Sequence, residues 1–221
     1  MKKIPTLFKR IFTPDHKKTI TQEVTPGCEW VLRGEGVATV KYDGACCAII
    51  DGEIWKRYDA KQKYGKKPPE GAIPCQPAPD PITGHWPHWV KCEEGKPEDK
   101  YFLEAYANFK KMPLFSLCPA QPWTYRDNSR LMIPDGTYEA IGPAWQSNPH
   151  GLSINTLIHH GDCTIDDLWL RDDGNEDGFA FNKIKAYLES HEIEGIVFWK
   201  DGEPRCKIKR RDFGFEWPVK E

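Results

Sequence analysis

Short runs of strand-forming residues, each closed by glycine, dictate what the first quarter of this chain can fold into. Between residues 29 and 58 it reads EWVLRGEG, VATVKYDG, ACCAIIDG and EIWKRYD. The runs are rich in Val, Ile, Trp and Tyr, and Gly or Asp-Gly punctuates them, which is the pattern of short β-strands joined by tight turns. A helix of ordinary length has no room between such breaks, so the sequence predicts a β-meander. Residues 60–98 are rich in Pro, Gly and Lys with little periodicity, and read as a long connection ordered by its own side chains. Strand-like runs resume at KYFLEAYANF and GTYEAIGPAW. In FAFNKIKAYLESH, Phe181, Ile184 and Leu188 fall at helical spacing, so a helix ending near His191 is expected. The strand IEGIVFWK, the turn DGEP and the basic run RCKIKRRDF follow. The expected fold class is α+β with antiparallel strands predominating: a basic arm over residues 1–28, then one domain over 29–221.

A length of 221 residues suits one large domain or two small ones. Its 31 Lys and Arg nearly balance 33 Asp and Glu, so global charge does not single out a nucleic-acid partner, although a local patch can. MKKIPTLFKRIFTPDHKK holds six Lys or Arg against one Asp. It lacks the apolar core and cleavage site of a secretory signal, and reads as a solvated arm or as one that touches phosphates. No apolar run approaches the ~20 residues that span a bilayer, so no membrane association is expected. Eight cysteines without a C-x-x-C pair fit reduced thiols in a cytoplasm. Within CQPAPDPITGHWPHWVKC, Cys75, His85, His88 and Cys92 invite a zinc reading, but their spacing departs from the tight pairs of structural zinc sites.

Charged residues within strands are the candidates for chemistry. Lys41 closes a strand in VKYDG. Glu194 is set to share a face with Ile196 and Phe198, opening an apolar ridge. Lys207 and Lys209 are two apart, so both ammonium groups point to one side and Ile208 to the other. Glu139 lies inside GTYEAIG. Each alone is an ordinary polar residue on a strand.

Their order is more specific. K-x-D-G, a basic residue after a hairpin, a strand glutamate, E-G-I-V and K-x-K, spread over residues 33–212, resemble the motif series of covalent nucleotidyltransferases, the ATP-dependent polynucleotide ligases and mRNA capping enzymes. EAIGPAWQSNPHGL and PDPITGHWPHWV look like segments of a small family of ligases that seal RNA 5′-phosphate to 3′-hydroxyl ends. The resemblance implies a ligase adenylation domain, ATP-grasp-like, with antiparallel sheets and flanking helices. Only a dozen residues follow Lys209, too few for the OB-fold that many relatives carry, which is expected to be lacking here.

The resemblance also implies roles. Lys41 attacks the α-phosphate of ATP to form a lysyl-AMP; Glu194, Lys207 and Lys209 complete the catalytic set. Lys207 and Lys209 hold the phosphate. Asp43 orients Lys41 or meets the RNA end, and Gly44 lets the backbone approach the nucleotide. Arg57 contacts ribose or phosphate, Glu139 a ribose hydroxyl, and Trp145 or Phe198 stacks on adenine. Arg33 reaches the pyrophosphate or the RNA 5′-phosphate, while Arg210 and Arg211 extend the basic edge or are simply solvated. Mg²⁺ or Mn²⁺ is expected at Glu194 and Glu139. The expected protein is a cytoplasmic, monomeric RNA-repair ligase acting on RNA with 5′-phosphate and 3′-hydroxyl ends. Rivals are a minimal DNA ligase, a capping-type guanylyltransferase, a non-catalytic nucleotide or RNA-end binder and, last, a zinc-stabilised module.

Overall fold

Eleven strands and two helices order the chain in a computed structural model that describes residues 3–12, 18–61, 64–81, 83–111, 133–168, 170 and 178–219. In chain order they are β1 (Phe8–Phe12), β2 (Lys18–Val24), β3 (Val37–Lys41), β4 (Ala45–Ile50), β5 (Glu53–Lys61), β6 (Ile73–Pro74), β7 (His85–Lys91), α1 (Lys100–Lys111), β8 (Gly136–Ile141), β9 (Thr156–His159), α2 (Phe179–Ser190), β10 (Gly195–Lys200) and β11 (Glu203–Lys209). The class is α+β, every strand pair within its sheets being antiparallel. No helix among the described residues is long and apolar enough to cross a membrane.

Two compact units emerge, and the chain enters each more than once. One comprises residues 1–3 and Asp43–His160; the other comprises Ile4–Tyr42 and Gly161–Glu221. The first holds a six-stranded sheet in the order β6-β7-β5-β4-β8-β9. Cys47, Ile49, Tyr138 and Leu157 turn inward from it, all at most 1% exposed, and α1 packs there through Phe102, Ala105, Tyr106 and Phe109. These helix residues recur at i, i+3, i+4 and i+7, one face of a helix. KYFLEAYANF therefore forms α1, where the sequence reading expected a strand. Its aromatic content resembles a strand, but Leu, Glu, Ala and Lys favour the helix, and the buried stripe decides.

The second unit has a three-stranded sheet, β11-β10-β3, and the ribbon β1-β2. Ile196 and Phe198 of β10 and Cys206 and Ile208 of β11 meet Ile184 and Leu188 of α2 in one core. The expected helix runs Phe179–Ser190, as its periodicity indicates. Burying each large apolar side chain contributes about 1.5–3 kcal/mol. Part of the basic N-terminal stretch belongs here too. Leu7 and Phe8 are 0% and 1% exposed, and residues 5–7 run alongside β11: Lys207 N–H donates to Pro5 O at 3.0 Å and Leu7 N–H to Lys207 O at 2.8 Å.

Three further expectations are revised. EWVLRGEG makes a short 3-10 helix, Glu29–Val31, followed by turns. Local bonds such as Leu32 N–H to Glu29 O satisfy its backbone, while Trp30 and Val31 are buried without strand alternation. The meander is broken, because β3 pairs with β10 whereas β4 pairs with β5 and β8. Within residues 60–98, β7 pairs with β5 along its whole length. Pro87 and the histidines disguise that strand in the sequence.

Candidate active site

Register builds the lysine cluster of the second unit. On one side of β10, Gly195 pairs with Lys41 and Val197 with Thr39; on the other side Gly195 pairs with Lys209 and Val197 with Lys207. Directly opposed residues in an antiparallel ladder point to the same face. Thus Lys41, Lys207 and Lys209 share one face, and Val40, Ile196 and Ile208 point into the core on the other. Gly195, between Lys41 and Lys209, carries no side chain. A Cβ there would stand 2.2 Å from Ile208 O, so close strand approach requires the glycine.

Glu194, one residue before β10 and 3% exposed, completes the cluster. Lys41 Nζ donates to its Oε2 at 2.5 Å and to Tyr42 O at 3.1 Å, and Lys209 Nζ donates to its Oε1. One carboxylate therefore serves two ammonium groups. The expectation that Glu194 opens an apolar ridge is replaced by this ion pair, since the residue lies outside the strand and need not follow its alternation. Lys207 lies one ladder step away. Burial, then the charges of Lys41, Lys209 and Arg10, bring its pKa down to about 8. Arg10 itself pairs with Asp212 at 2.7 Å, and Asp212 accepts the Lys209 N–H, so β1 is tied to the end of β11. Three lysines against one carboxylate leave a net positive face, which fits an anion of the phosphate type.

Four other expected contacts lie in the second unit. Phe198 is 2% exposed within the core, so its ring has no face open to a base. Arg33 is exposed and pairs with Glu35 at 2.6 Å. Lys200 joins the same carboxylate at 2.5 Å, and the two cations lower the Glu35 pKa to about 2. Arg210 is buried, not solvated: its guanidinium donates to Leu188 O and His191 O at the end of α2 and to Glu216 O. Such capping of the last carbonyls of a helix is a structural task. Arg211 donates to Trp217 O.

The first unit holds the remainder. Glu139 on β8 is the direct cross-strand partner of Cys46 on β4. Cys47 pairs with Lys56, so Cys46 and Arg57 share the opposite face, away from the core. Glu139 Oε1 accepts the Gly44 N–H at 3.1 Å, and its Oε2 lies 3.0 Å from His160 Nε2. His160 Nδ1 lies 3.0 Å from Thr137 Oγ1. Arg57 pairs with Asp59 at 3.0 Å. Asp43 lies beyond the end of β3, where strand alternation no longer applies, and its N–H donates to His150 Nε2 at 3.1 Å. Gly44 is required by its neighbours: a Cβ would stand 2.1 Å from Ala140 O. Trp145 is half-buried against Phe102, with ring centroids 5.4 Å apart.

Cys46 and His160 escaped the sequence reading. The cross-strand register that puts Cys46 beside Glu139 is not visible in the sequence; His159-His160 before a glycine was the one available signal. The earlier zinc candidates are not brought together. His85 and His88, three apart on β7, point to opposite faces, His88 is 3% exposed and Cys92 is in the core. All seven cysteines among the described residues are unbridged; Cys118 lies outside them.

The expected magnesium does not fit these carboxylates as they stand. Mg²⁺ takes oxygen ligands in near-octahedral geometry. Glu194 commits both oxygens to lysines, and the neighbours of Glu139 are a thiol and an imidazole. No protein-family model and no curated protein matches the chain.

Proposed function

We propose that this chain is an ATP-dependent RNA ligase that joins 5′-phosphate to 3′-hydroxyl ends, with Lys41 as its nucleophile. One observation carries the reading: Lys41 and Lys209 converge on the two oxygens of buried Glu194, with Lys207 on the same face of the sheet. A lone surface lysine has no reason to be held this way. A lysine that must bind a phosphate and then exchange a proton does.

The cluster supports a balanced first step. Lys41 needs a lone pair to attack, and Glu194 Oε2, at 2.5 Å, is placed to take its proton. Attack on the α-phosphate forms a P–N bond and breaks the P–O bond to pyrophosphate. Lys207 and Lys209 offset the charge that develops on the phosphoryl oxygens, which is the main task of a protein in phosphoryl transfer. The 5′-phosphate oxygen of RNA then displaces Lys41 from the adenylate, and attack by the 3′-hydroxyl expels AMP. The preference for RNA rests on the resemblance of EAIGPAWQSNPHGL and PDPITGHWPHWV. So do the roles of Arg57, Glu139, Trp145, Asp43 and Arg33 towards nucleotide or RNA.

Incubation with α-labelled ATP, with and without divalent metal, tests the reading on a denaturing gel. Label on the wild type and none on Lys41→Ala supports it; joining of 5′-phosphorylated RNA but not DNA supports the substrate. A folded wild type that takes label from neither ATP nor GTP overturns it. Label from GTP alone points to a capping-type transferase.

A further inference from the structure

We propose that the first unit binds a divalent transition metal of the zinc type through Cys46 Sγ, a Glu139 carboxylate oxygen and His160 Nε2. These are the one group of three or more His, Cys, Asp or Glu side chains among the described residues whose donor atoms lie within 4.8 Å of one another. The proposal does not depend on the ligase reading, which rests on the second unit's lysines.

The donor set defines the metal. A thiolate, an imidazole and one carboxylate suit Zn²⁺ or a close relative, and such three-residue sets leave a fourth, exchangeable position. Magnesium and calcium prefer oxygen ligands alone. Ligand atoms of a tetrahedral zinc stand roughly 3–4 Å apart, so small side-chain rotations suffice to close the site. Two ligands are fixed by register, as direct partners on β4 and β8. The third follows β9 and is anchored by its own backbone, His160 N–H donating to Thr137 O at 3.0 Å.

The surroundings supply what a metal-binding histidine needs. Thr137 Oγ1, 3.0 Å from His160 Nδ1, can accept a hydrogen bond from an Nδ1–H and leave the Nε2 lone pair for the metal. The Gly44 N–H on Glu139 Oε1 orients the carboxylate and leaves Oε2 towards His160 and the site. Without a cation, burial and then the Glu139 charge hold the Cys46 thiol protonated, pushing its pKa up to about 12. A bound metal reverses that balance, and Cys46 releases its proton to solvent on ligation. Arg57, beside Cys46, also favours the thiolate, while Asp59 offsets its charge.

Cobalt(II) is the probe, because its spectrum reports both thiolate ligation and geometry. The full chain is stripped with chelator, reduced and titrated with Co²⁺. One equivalent giving a thiolate-to-cobalt charge-transfer band and strong tetrahedral visible bands, bleached by one equivalent of Zn²⁺, is expected. The charge-transfer band should be lost in Cys46→Ser. His160→Gln should weaken affinity at least tenfold, and Cys75→Ser should leave both unchanged. A wild type that gives no charge-transfer band overturns the proposal without any variant. So does a band that persists in Cys46→Ser or vanishes in Cys75→Ser. Adenylylation of Lys41 is read separately, so the two proposals fail independently.

Discussion

Lys41 Nζ stands 2.5 Å from Glu194 Oε2, and the other oxygen of that carboxylate is held by Lys209. This arrangement, with Tyr42 O as a further acceptor, holds the Lys41 side chain in place. The proposed adenylylation would have to break this pair, so charge and nucleophilicity at position 41 are separable. Lys41→Arg should keep an ion pair with Glu194 and a stability within about 1 kcal/mol of wild type, yet take no label from α-labelled ATP. Urea melts beside the labelling gel check both halves.

Removing the carboxylate leaves two ammonium groups facing each other in a half-buried site. Glu194→Gln should destabilise the protein by about 2–4 kcal/mol, because the lysines lose their shared counter-charge. Lys41→Met in the Glu194→Gln background should recover part of that loss. Denaturant unfolding of the two single variants and the double variant gives the coupling.

Lys207 predicts a pH dependence. Its pKa falls from 10.5 when unfolded to about 8 when folded. Below pH 8 both states hold the proton and the penalty of a buried, repelled cation is complete. Between about 8 and 10.5 the unfolded state binds more protons, so this group makes stability rise with pH, by at most about 1.4 kcal/mol per unit. Lys207→Met removes the effect. Its stability advantage over wild type should be largest near neutrality and shrink as pH passes from 8 towards 10.5.

Arg210 and Arg211 are neighbours with different expected effects. Arg210→Ala leaves carbonyls at the end of α2 without their buried donor and should cost about 2–4 kcal/mol. Arg211→Ala should cost under about 1 kcal/mol. Thermal unfolding of the two variants distinguishes them.

Gly44→Ala tests why the motif carries glycine. The added methyl meets Ala140 O and the Ile141 side chain, so a loss of about 1–3 kcal/mol is expected even without nucleotide. Chemical denaturation of the protein alone is the measurement. An unchanged midpoint would show that the neighbouring strand yields to the methyl and that packing does not require the glycine.

The sequence by itself determined the local elements whose signal is periodic or punctuated. The helix Phe179–Ser190, the hairpins closed by Asp51-Gly52 and Asp201-Gly202, and the common face of Lys207 and Lys209 follow from spacing alone. Tertiary structure decided what depends on partners distant in the chain. It made KYFLEAYANF a helix by giving Ala105 and Phe109 a sheet to cover. It sent β3 and β4 to different sheets, buried Phe198 and Arg210, and set Cys46 and His160 beside Glu139. It also turned Glu194 from a residue beside an apolar ridge into the shared counter-ion of two lysines. Local preference depends on neighbours a few residues away, whereas strand register brings together residues over a hundred positions apart, and no local pattern encodes that pairing.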